Sequence, residues 1–202
     1  MLGLLPARER PERCDRLTEI NDLWVFGYGS LMWRPGFPFL EAAPARIKGR
    51  HRRLCVYSWV HRGTEAEPGL VLGLDRGGSC LGRVFRVAAE EREATIDYLR
   101  AREQVTMVYL ERTVRAALAD GSDREVSALT YVVDRSHAQY AGPLPRERQL
   151  EIVRTASGQS GPNPDYVLAT ADHLEELGVH DDNLHWIADA LRGRVKADAT
   201  SA

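Results

Sequence analysis

Lysine is almost missing from this 202-residue chain: Lys48 and Lys196 stand alone, and arginine supplies the rest of its 27 basic residues. Against 29 acidic residues the formal net charge is −2, so the arginine excess creates no global field drawing the chain to nucleic acid or anionic lipid. The bias reads as composition rather than function. Cysteine is scarce too. Cys14, Cys55 and Cys80 are odd in number, widely spaced and without a CxxC pair, which excludes a disulfide framework and argues against a cysteine zinc site. Long apolar runs are absent. Leu2–Leu5 falls short of the roughly 7–15 residues of a secretory h-region, and no stretch approaches the roughly 20 of a membrane span. The expectation is a cytoplasmic protein with no membrane and no nucleic-acid partner.

Standard catalytic signatures fail on spacing. Gly27-Tyr28-Gly29 begins a GxGxxG, but Met32 occupies the third glycine position and no strand–helix unit with a suitable acid follows. There is no GxxxxGK[ST], and Gly158-Gln159-Ser160-Gly161 is one residue short of a GxSxG elbow. No HExxH occurs; His180 and His185, five apart, are expected on different sides of a helix, so no metal site is assigned. Arg46, Lys48, Arg50, Arg52 and Arg53 suggest a basic strand, read as a solvated outer face alternating with Ile47, Gly49 and His51.

What is present is ordinary for a globular protein: 44% hydrophobic and 28% charged residues. The expected organisation is an extension over 1–23, one domain over 24–193 and a tail over 194–202. Within the domain, Trp24–Tyr28, Arg46–Trp59, Leu70–Asp75 and Cys80–Val87 read as strands. Tyr109–Leu118 and Glu125–Val133 flank the turn Asp120-Gly121-Ser122-Asp123 as a hairpin. Ala89–Arg102 reads as a helix. The last third is helical: Arg146–Ser157 ending at Gly158 as its C′ residue, a helix capped by Asn163 with Pro164 at its start and Gly178 at its end, and a final helix capped by Asp181 or Asp182. Antiparallel strands followed by clustered helices give an α+β fold, mostly an antiparallel curved or closed sheet with flanking helices.

Three segments carry chemistry. In Val25-Phe26-Gly27-Tyr28-Gly29-Ser30-Leu31 a strand enters a turn whose glycines let a ligand approach the main chain, and consecutive amides there suit a carboxylate or an oxyanion. An ordinary strand-ending turn would read the same. Ile96, Leu99 and Glu103 at i, i+3 and i+7 place a carboxylate on an apolar helix stripe, where burial raises its pKa toward that of a general base. Arg102, adjacent in sequence, is expected to point elsewhere, and a frayed helix end leaving Glu103 in water fits the same periodicity. Ser157–Tyr166 is a small-residue connection between helices that also suits a rim or lid.

Taken in order, VFGYGSLMW (25–33), SWVHRG (58–63), YLRAREQVTMVYL (98–110), YAGPLP (140–145) and SGQSGPNPDYV (157–167) resemble the ChaC family of γ-glutamylcyclotransferases over about residues 24–192. The resemblance implies a compact sheet or barrel with flanking helices, no cofactor, and a small-molecule substrate: glutathione, cleaved to 5-oxoproline and cysteinylglycine. It implies that Val25, Phe26, Gly27, Tyr28, Gly29, Ser30 and Leu31 hold the γ-glutamyl group and that Glu103 is the catalytic general base and acid, with Tyr140 and Tyr166 as further pocket residues. Cyclisation of other γ-glutamyl amines or amino acids, or a non-catalytic binding module, are the alternative readings. Met107 departs from the small residue expected there, which bears on pocket size.

Overall fold

The computed structural model describes residues 22–194. Cys14, most of the expected extension and nearly all of the expected tail lie outside the described residues.

Five strands close a barrel in the order β1-β3-β2-β4-β5: β1 (Leu23–Gly27), β2 (Glu41–Ser58), β3 (Gly69–Val87), β4 (Tyr109–Leu118) and β5 (Glu125–Val133). All pairings are antiparallel except β1–β5, where Trp24 and Val25 lie parallel to Ala128 and Leu129. A 3-10 turn (Ser30–Met32) follows β1, and helix α1 (Arg92–Glu103) links β3 to β4. Helix α2 (Arg146–Thr155), a two-residue hairpin pairing β6 (Ser157–Gly158) with β7 (Gly161–Pro162), α3 (Asn163–Glu176) and α4 (Asp182–Leu191) complete the described chain. The β4–β5 hairpin has the bounds its alternating pattern predicts.

The two long strands bend at a shared irregularity. Gly49 of β2 and the Gly77-Gly78 pair of β3 have positive φ (75°, 99° and 64°), and the β2–β3 register shifts between Lys48 and Arg50. An extra residue in a ladder reverses which side chains face inward. Before Gly49 the odd positions Ala43, Ala45 and Ile47 are buried; after it the even positions Arg52 and Leu54 are, up to a second register shift between Leu54 and Val56. Two expectations change as a result. Leu70–Asp75 and Cys80–Val87 are two ends of one bent strand, and Arg52 is buried rather than solvated, because the bulge turns it inward. Arg52 donates to the carbonyls of Tyr28 (2.5 Å) and Leu81 (2.8 Å) and lies 3.8 Å from Asp181, whose carboxylate caps α4 at the Leu184 N–H (3.1 Å).

Between Gly69 and Asp75, β3 has a strand partner on one side only, since β1 pairs with its far end from Arg83 to Val87. Exposed ladder groups must find partners elsewhere, and side chains supply them. Asn163 accepts from the Leu70 N–H (2.7 Å) and donates to its carbonyl (2.9 Å). The Leu72 N–H donates to the Tyr166 hydroxyl (3.1 Å), while its carbonyl accepts from the Tyr109 hydroxyl (2.7 Å). Asn163 was expected to cap α3; its carboxamide instead acts as a length of strand. Gly158 was expected to end α2 in a left-handed turn. Ala156 ends that helix in extended geometry, and Gly158 lies against the 58–63 loop, where an added Cβ would come 2.6 Å from the Gly63 nitrogen. His180 precedes α4 rather than lying on it, so its ring meets that of His185, centroids 4.5 Å apart, instead of pointing away. No grouping of three or more metal-ligating side chains occurs among the described residues, and no helix there is long and apolar enough to cross a membrane.

Candidate active site

A cleft of about 380 Å³ opens at one end of the barrel, lined by the turn after β1, the C-terminus of α1, the start of β3, the 58–63 loop and the β6–β7 hairpin. Each wall has a local cause. Gly27 lets the chain double back: a Cβ there would stand 3.0 Å from Leu31 Cβ. The following turn is closed by the Met32 N–H on the Gly29 carbonyl (2.9 Å), leaving the Ser30 and Leu31 amides without acceptors inside the 3-10 turn. The opposite wall is stapled by Gln159 N–H to Val60 carbonyl (2.8 Å), Ser160 N–H to His61 carbonyl (2.9 Å), and a His61 Nδ1–Ser160 Oγ hydrogen bond (3.0 Å).

Glu103 is the last residue of α1, and its side chain is 19% exposed at the cleft wall. No other carboxylate lines the cleft among the described residues. Burial raises its pKa above the ordinary carboxyl value, and Arg102 only partly offsets this. Its place at the negative end of the helix dipole works in the same direction as burial. Arg102 does not point elsewhere, as its sequence neighbourhood suggested. Its Nε lies 3.2 Å from Glu103 Oε1, while its other nitrogens donate to Ser30 Oγ (2.8 Å), the Arg34 carbonyl (2.7 Å) and the Tyr98 hydroxyl (3.0 Å). One guanidinium therefore spans the carboxylate and the glycine turn. Tyr28, Tyr109 and Tyr166 also line the cleft, and burial raises all three phenol pKa values, Glu103 adding to the rise.

Of the residues singled out in the sequence, Tyr28, Gly29, Ser30, Leu31, Glu103 and Tyr166 meet in this cleft. Val25 and Phe26 are fully buried in the barrel wall and Gly27 lies behind the turn, outside the lining. Tyr140 is also outside it; its hydroxyl donates to Asp75 (2.9 Å). Sequence reasoning missed Arg102 and Tyr109. Both fall within the 98–110 stretch, but only the fold shows that Tyr109, from the start of β4, turns its hydroxyl to Leu72. Met107 does not narrow the cleft. It is 58% exposed and sits at φ 60°, a left-handed conformation that favours glycine, so the small residue expected there answers to the backbone rather than to the pocket.

The family model described as ChaC-like protein matches residues 23–194. The chain belongs to the ChaC-like family. A glutathione-specific gamma-glutamylcyclotransferase of Escherichia coli (strain K12) is 34% identical over 163 residues, covering 81% of this chain and 70% of that protein. The glutathione-specific gamma-glutamylcyclotransferase 1 of Homo sapiens is 34% identical over 173 residues, covering 84% and 78% respectively. A crystal structure of a gamma-glutamyl cyclotransferase specific to glutathione from yeast superimposes with a TM-score of 0.76 over 87% of this chain and 97% of that one, at 21% identity, a likeness of fold. The ChaC-like fold is thus the closed barrel with flanking helices described above, and its cleft is where the carboxylate and the glycine turn converge.

Proposed function

We propose that this chain cyclises the γ-glutamyl group of glutathione, releasing 5-oxoproline and cysteinylglycine. One observation carries the reading: the cleft's one carboxylate, with raised proton affinity, is tied by a single arginine to the backbone turn expected to hold the substrate. The names of the curated relatives support the same reaction and substrate.

The chemistry asks little else of the protein. The substrate's α-amine attacks its own γ-carbonyl carbon, a five-membered lactam closes, and the bond to the cysteine nitrogen breaks. The proton released by the attacking nitrogen must end on the departing one, and Glu103 can carry it between them, a role typically contributing about 10²–10⁴-fold. Holding the chain in its ring-closing conformer contributes on the order of 7–11 kcal/mol. Amides of Gly29, Ser30 or Leu31 hold, in this reading, the α-carboxylate or the oxyanion that forms at the γ-carbon. Arg34 and Arg62 line the same cleft, a cationic rim suited to a dicarboxylate substrate.

The test is detection of 5-oxoproline from purified protein supplied with glutathione, oxidised glutathione or γ-glutamyl dipeptides. Product from glutathione is expected. Product only from other γ-glutamyl donors would move the substrate, and none from any donor would overturn the reading. Gly29→Ala should raise KM severalfold while the protein folds normally. The added Cβ meets Leu72 Cδ1 at 3.6 Å, an ordinary contact, and it narrows the cleft between two of its walls.

A further inference from the structure

A second cavity, of about 300 Å³, lies where β2 parts from β4, beyond the last pair of that ladder, Ile47 with Ala116. Arg50, Arg76, Arg112 and Arg135 line it, against one carboxylate, Asp134, with Ser136 beside it and Leu110, Val132 and Val133 as an apolar wall. The arrangement concentrates positive charge around a half-buried Arg50, with Arg76, Arg112 and Arg135 exposed. Arg50 and Arg76 are directly opposite in the β2–β3 ladder, and like charges in that position repel. Neither guanidinium has a hydrogen-bond or ion-pair partner among the described residues. Arg112 donates to its neighbour's carbonyl at Glu111 (2.7 Å). The nearby carboxylates are already engaged. Asp75 accepts from Arg135 Nε (2.7 Å) and Tyr140, and Asp134 accepts from the Ser136 N–H (2.9 Å) and hydroxyl (2.7 Å). Burial, then Arg76, Arg112 and Arg135, hold the Arg50 pKa below its ordinary value, with Asp75 acting the other way.

We propose that this cavity binds a multiply charged phosphate anion, whose oxygens take the uncommitted guanidinium donors of Arg50 and Arg76 with Arg112 and Arg135 completing the clamp. Guanidinium forks match phosphate oxygens in pairs, and a cavity with this charge excess calls for more than one negative charge. The bulge at Gly49 makes the site, because it peels β2 away from β4 and brings Arg50 beside Arg76. None of these residues lines the Glu103 cleft, so the inference stands apart from the proposed activity.

The test is calorimetric titration and thermal denaturation of the full chain with pyrophosphate, in phosphate-free buffer of low ionic strength, against sodium chloride at matched ionic strength. Saturable binding and a rise in Tm beyond the chloride control are expected. The double variant Arg50→Gln, Arg76→Gln should weaken pyrophosphate roughly tenfold or more while leaving 5-oxoproline formation unchanged. Arg112→Gln, at an exposed position, gives a second variant with the same expected direction should the double variant fold poorly. A parallel titration with ADP separates a nucleoside-borne phosphate, which binds tighter than pyrophosphate, from a free one, which does not; either result upholds an anion site. No stabilisation beyond chloride, or variants that bind pyrophosphate as tightly as the parent, would overturn it.

Discussion

Two carboxylates of this fold, one in the barrel wall and one at a helix end, have opposite fates. Asp75, its side chain 1% exposed, accepts from Arg135 (2.7 Å), the Arg76 N–H (2.8 Å) and the Tyr140 hydroxyl (2.9 Å), with Arg53 at 3.8 Å. Burial alone would raise its pKa, but these partners together bring it below the ordinary value. Glu103 is more exposed, at 19%, yet has one charged partner at 3.2 Å and a raised pKa. Partners, not depth, decide which acid is held ionised and inert and which can take up a proton during a reaction.

The sharpest way to break this contrast is Glu103→Gln, which should lower 5-oxoproline formation by roughly 10²-fold or more while glutathione still binds. Near-normal turnover would remove Glu103 from the chemistry. Next in size is Asp75→Asn, expected to cost about 1.5–3 kcal/mol in urea unfolding at neutral pH, since it weakens charge-assisted hydrogen bonds in the barrel wall. Because the folded-state pKa of Asp75 is lowered, its contribution is present above the ordinary carboxyl pKa and lost as pH falls through the folded value; the gap between parent and variant should close in acid. Glu103 should behave inversely. Its raised pKa means that the native state bears the ionised form at a penalty once pH exceeds the folded value, so Glu103→Gln should melt higher than the parent at neutral pH. That advantage should vanish below the ordinary carboxyl pKa, and a variant less stable than the parent at pH 7 would contradict the assignment. The smallest effect is a control near the site: Met107→Gly should relieve the left-handed strain at φ 60° and stabilise by about 0.5–1 kcal/mol without altering KM.

The α+β class, the β4–β5 hairpin, the helical last third and the convergence of Glu103 with Tyr28–Leu31 were legible from local patterns and family motifs. The inward turn of Arg52 was not, because a single left-handed glycine at position 49 reverses the alternation after it, and the tolerance of glycine for that conformation does not announce its use. Asn163 next to a proline has the signature of a helix cap; its bonds to Leu70 depend on which strand edge the fold leaves open. Tyr140 and Tyr166 both lie in family motifs, yet only one reaches the cleft, since Tyr140 is drawn to Asp75, which the sequence places 65 residues earlier.

The stitching of β3 by Asn163, Tyr166 and Tyr109 has a consequence for self-association. An open strand edge is a template for a second molecule, and here α3 and the first residue of β4 occupy it with side chains alone. Loss of α3's docking would therefore uncover, in one event, a wall of the cleft and a surface prone to intermolecular pairing, so that inactivation and aggregation would share a single cause.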